Sequence, residues 1–192
     1  MTANDICNKA IAIAASKTMY IKRCAGAKLT ATNKARFTSI DQFNAKRTAQ
    51  IFAADEDTAG YDEFGLFKAL TGINCFDFSV IIGSCGKLST NFKDIQPGEL
   101  VFMPDRFGVY IGNKKVVTVS PAGVGMTILD GWKSHGKLAG VDYTEDINNE
   151  ETDVEVRDSG SGDRNRVHEL PQKAERHERS NGRRRSEYLP VL

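Results

Sequence analysis

The sequence predicts an α+β fold, with helices packed on a small antiparallel β-meander and an extended C-terminal tail. Three observations carry this. Helical apolar spacing occupies the first half of the chain, short β-rich runs separated by tight turns follow from residue 95, and the composition turns polar after residue 143. The 192 residues suffice for one cored domain plus an appendage, here residues 1–143 and 144–192.

Each element has its own chemistry. Thr2 or Asn4 can cap a first helix whose Ile6, Ala10, Ile13 and Ala14 share a face, with Asp5 at the positive end of the helix dipole. Met19-Tyr20-Ile21 is β-branched and aromatic enough for a short extended piece, broken by Cys24-Ala25-Gly26-Ala27. Thr30 caps a short helix, and residues 42–54 carry another with its apolar positions less ordered. Phe64, Leu66, Phe67 and Leu70 form a clear stripe over residues 62–71, stopped by Gly72, and a further helix is expected over 77–84. Gln96-Pro97-Gly98-Glu99 is turn chemistry. Strands then follow at 100–103, 107–112 and 115–120, with a fourth at 125–128.

The tail has a different character. Acidic residues cluster over 145–158, Ser159-Gly160-Ser161-Gly162 forms a joint, and residues 163–185 are almost wholly polar. The chain then ends in Arg183-Arg184-Arg185 and the apolar run Tyr188-Leu189-Pro190-Val191-Leu192. A polar tether with an adhesive end is expected to be a partner-binding arm, with Arg183, Arg184, Arg185, Tyr188, Leu189 and Leu192 as its contacts to other protein subunits of an assembly.

Composition excludes some classes. The net charge of +1 creates no global field toward nucleic acid or an anionic membrane, and the acidic cluster nearly cancels the three arginines. The apolar run at 10–15 is too short for a bilayer span or a secretory signal, so a chain kept in a cytoplasm, or exported by lysis or by riding on an assembly, is expected. Cys7, Cys24, Cys75 and Cys85 form no metal-binding pattern, so no cofactor and no metal are expected, and the thiols read as small buried hydrophobes.

The text Gln96-Pro97-Gly98-Glu99-Leu100-Val101-Phe102 followed by Phe107-Gly108-Val109-Tyr110-Ile111-Gly112-Asn113 resembles the NlpC/P60 family of papain-like cysteine peptidases. Further features resemble its bacteriophage and gut-bacterial branch: Met19-Tyr20-Ile21, the Cys24-Ala25-Gly26-Ala27 turn, Asn33-Lys34-Ala35-Arg36-Phe37-Thr38, and Trp132-Lys133-Ser134-His135-Gly136-Lys137-Leu138. The resemblance covers most of residues 1–143 and rests on the order of these pieces. It implies a papain-like fold. It also implies a cysteine nucleophile at a helix N-terminus, where the dipole favours the thiolate, with a histidine base and a polar residue that orients it.

In this chain the nucleophile position falls on Glu63, the histidine position on Arg106 and the orienting position near Thr118. A carboxylate without a base does not attack an amide, and a guanidinium accepts no proton at neutral pH. No catalytic residue is therefore expected. The resemblance implies a catalytically inactive domain used as a structural or binding component, as in a bacteriophage virion. The alternative is a peptidoglycan hydrolase with a rearranged site, for which a Cys75–His135 dyad is the rival constellation. Glu63 and Arg106 also preserve the signs of a thiolate–imidazolium pair, and an ion pair between them would lock the cleft.

Overall fold

The structure, a computed structural model, describes residues 1–144. The proposed contacts at 183–192 lie outside the described residues. Helix α1 (Ala3–Ala15) begins with a reciprocal capping box between Thr2 and Asp5, and buries Ile6 and Ala10. A small sheet of order β1-β3-β2 follows, built from β1 (Thr18–Tyr20), β2 (Ala25–Lys28) and β3 (Ala59–Tyr61). The segment read as a break after Ile21 is thus a turn followed by a strand: Arg23 takes φ +63°, and the chain returns antiparallel to β3. β3 was not anticipated, because Ala-Gly-Tyr has no alternation to betray it.

Three helices join β2 to β3: α2 (Ala31–Ile40), α3 (Gln42–Ala45) and α4 (Thr48–Ala53). They close a separate small core of Ile21, Cys24, Leu29, Phe37 and Ile51. Buried Lys34 directs its ammonium at the carbonyls of Phe52 and Ala54, where α4 ends and carbonyls lack helical partners. Helix α5 (Glu63–Thr71) then runs as the stripe predicted, ended by Gly72 at φ +78°, and α6 (Phe78–Gly83) is a short helix capped by Asp77.

The larger sheet has the order β7-β6-β5-β4-β8 and is antiparallel throughout. Its strands are β4 (Leu100–Met103), β5 (Arg106–Tyr110), β6 (Lys115–Ser120), β7 (Gly123–Ile128) and β8 (Ser134–Gly136). β8 was not read from the sequence, since three residues of Ser-His-Gly carry no strand pattern. Alternation along the strands sends Leu100, Phe102, Phe107, Val109, Val117 and Val119 into the core shared with α1 and α5. Phe67 of α5 meets Phe107 edge-on, with ring centroids 5.9 Å apart. Burying each such ring contributes roughly 2–3 kcal/mol. Val101 and Val116 face the other way and are covered by Trp132.

The last described turn is tied to the start of the chain. Ala3 donates to the Asp142 carbonyl at 2.8 Å, and Asp142 donates to Met1 at 3.1 Å. The Tyr143 hydroxyl donates to Gly98 and accepts from the Leu138 amide. Among the described residues no helix is long and apolar enough to cross a membrane.

Candidate functional site: the cleft at the N-terminus of α5

The cleft follows from how α5 begins. Asp62 caps the helix: one carboxylate oxygen accepts from Gly65 N–H at 2.7 Å, and the other from Arg23 N–H at 2.6 Å. The second bond ties the helix start to the turn before β2. Burial raises the Asp62 pKa, and the two backbone bonds oppose that rise. Gly65 is required by close approach, because a Cβ there would lie 1.9 Å from the Cys24 carbonyl oxygen. The helix therefore packs directly on the backbone leading into β2.

Glu63, the first helical residue, is half-buried, and its Oε2 accepts from the Tyr20 hydroxyl at 3.1 Å. Burial and the Glu63 charge together raise the Tyr20 pKa. An open cleft of about 500 Å³ lies against this pair. Its walls include Lys22, Arg23, Asp41 and the rings of Phe64 and Phe76, and Phe76 is 76% exposed. Arg23 Nε stands 3.8 Å from Asp41 Oδ2. Behind the wall, Phe43 lies edge-on to Tyr20, with Lys22 and Arg47 over its ring. Both charge signs and three aromatic rings, Tyr20 included, thus line one depression.

The predicted lock does not form. Among the described residues the ion pairs join Lys17 to Asp55 and Asp57 and Arg23 to Asp41; Glu63 and Arg106 are not joined. The reason is strand alternation. Arg106 pairs with Met103, which packs on the Trp132 side, while the next residue, Phe107, faces α5. Arg106 therefore projects from the sheet face opposite the one that α5 covers. Thr118 is buried opposite Gly108, and its hydroxyl donates to the Phe107 carbonyl at 2.6 Å, so it braces β5 against β6.

The Cys75–His135 dyad does not form either. Cys75 is buried, its pKa raised by that burial, and it lines a smaller pocket of about 250 Å³ beside the cleft, together with Cys24 and Asn74. His135 is engaged elsewhere. Its Nδ1 lies 2.5 Å from Glu99 Oε2, and its Nε2 lies 3.0 Å from the Asn91 carbonyl. Nε2 donates to that carbonyl, because a carbonyl only accepts. Both side chains are buried, and the Phe92 ring leans on the imidazole at 5.0 Å.

The sequence reading missed this pair, having taken Glu99 for turn chemistry. The available signal was the one histidine in the folded part, together with a glutamate at the entry of an apolar strand. Cys85, packed near Glu99 and bonded to Gly136, has its thiol pKa pushed up to about 12 by burial. Cys7 is likewise pushed up to about 11. Among the described residues no group of three or more His, Cys, Asp or Glu is placed to hold a metal ion. No protein-family profile and no curated protein matches this chain.

Proposed function

We propose that this chain is a catalytically degenerate NlpC/P60-like domain of papain-like fold, acting as a binding or structural component of a bacteriophage virion or a similar assembly. The observation that carries the reading is the start of α5. The position that resembles the family's nucleophile holds a carboxylate bonded to a tyrosine hydroxyl, with no imidazole beside it. The single histidine of the described residues is saturated at both ring nitrogens, 36 residues along the chain from the glutamate it bonds. The cleft is nonetheless retained, open and lined by both charge signs, which suits recognition of a zwitterionic or polar partner without turnover. The tail supplies the arm to neighbouring subunits.

Two measurements test this. Purified protein on a peptidoglycan zymogram is expected to give no clearing, and mass spectrometry of purified particles is expected to find the chain. Clearing that is lost in Glu63→Gln but retained in Cys75→Ala would establish the hydrolase reading instead. Recovery of the chain only as a free monomer would sink the assembly role.

A further inference from the structure

The two edges of the larger sheet are treated differently. The β8 edge is covered by the preceding loop: Ser89 and His135 exchange backbone bonds at 2.9 Å, and Gly86 donates to Lys137 at 3.0 Å. At the β7 edge, Thr18 satisfies Val124 alone, its hydroxyl accepting from the N–H at 2.9 Å and donating to the C=O at 3.2 Å. Backbone groups alternate in direction along a strand, so those of Met126 and Ile128 point off the same edge as those of Val124. The Ile128 carbonyl is taken by the Trp132 indole N–H at 3.3 Å. Among the described residues, the Met126 N–H and C=O and the Ile128 N–H have no hydrogen-bond partner. Met126 and Ile128 are 49% and 65% exposed. Residues 123–129 contain no charge and no proline, the usual protections of a free edge.

Beside this open end lies a groove of about 780 Å³ whose floor includes Phe92, Leu129 and Trp132. Lys93 and Lys114 stand on its rim, against one carboxylate, Asp130. We infer that the open end of β7 takes up an extended acidic peptide as an added strand, with an apolar side chain of that peptide seated in the groove. The free backbone groups call for a strand, the lysines for acidic side chains, and the aromatic floor for an apolar anchor. The surface shares no residue with the cleft at α5, so it stands or falls independently of the function proposed there.

Trp132 is the only tryptophan of the chain and forms part of the groove, so its emission reports occupancy directly. The full-length protein would be titrated with a synthetic ten-residue peptide alternating glutamate and leucine, and with its lysine–leucine counterpart. The acidic peptide is expected to give a saturable emission change, and the basic one none. Raising the salt concentration, or introducing Lys93→Glu with Lys114→Glu, is expected to weaken binding at least ten-fold. Met126→Pro removes an outward N–H, which an edge strand tolerates, and is expected to weaken binding similarly. Equal binding of both peptides, or undiminished binding in both variants, overturns the inference. So does an emission change that tracks protein concentration alone with a dimer in sedimentation, which would give the edge to a second copy of the chain.

Discussion

Glu63 and Glu99 are both glutamates with one aromatic-ring partner, yet their settings differ. Glu99, just before β4, is buried together with its partner His135. Glu63 is half-buried at the rim of an open cleft, with one bond to Tyr20. An enclosed polar pair is costly to break, because each member leaves the other desolvated and unpaired. A rim carboxylate can exchange its partner for water at little cost. The difference separates a carboxyl group that holds the fold from one that faces an open cleft.

The largest expected effect tests the first half of that contrast. Glu99→Ala leaves His135 buried with one partner and should destabilise by about 3–5 kcal/mol in chemical denaturation, with Glu99→Gln milder because one acceptor remains. Gly65→Ala forces the start of α5 off the Cys24 carbonyl and should cost about 1–3 kcal/mol, with the cleft widened or lost. Asp62→Ala removes the cap and the tie to Arg23, and should lower stability by about 1–2 kcal/mol.

The thiols sharpen the comparison through pH. Cys7 and Cys85 have folded pKa values of about 11 and about 12 against an ordinary value of 9.0. A raised acid contributes stability that is fully present below the ordinary value and is lost as pH rises through the folded one. Thermal stability should therefore be insensitive to these groups below about pH 9 and fall between about 9 and 12. Iodoacetamide labelling of Cys7 and Cys85 should appear only over that fall. Labelling of either at neutral pH in the native protein would contradict their burial. The smallest effect belongs to the cleft: Glu63→Ala should leave stability within about 0.5 kcal/mol, and a loss as large as that of Glu99→Ala would erase the contrast.

Much of the fold was legible because it depends on local chemistry. Thr2 or Asn4, with Asp5, announces the start of α1, the Phe64–Leu70 stripe and Gly72 bound α5, and short β-rich runs between turns at 100–103 and 115–120 mark two strands of the meander. β3 and β8 were not legible. They are three residues each, and pairing with distant neighbours, rather than propensity, makes them strands. The positions of Glu63 and Arg106 in the chain were legible as well, but not the sheet face from which Arg106 projects, which a one-residue difference inverts.

By itself, the sequence determined the α+β order, the caps and the helix stops. Those are properties of neighbouring residues, and neighbouring residues suffice to state them. Only the tertiary structure decided the partners. It joined Glu63 to Tyr20, Glu99 to His135 and Asp62 to the Arg23 amide across 43, 36 and 39 residues. Which charge is enclosed and which is open depends on what the rest of the chain lays over it.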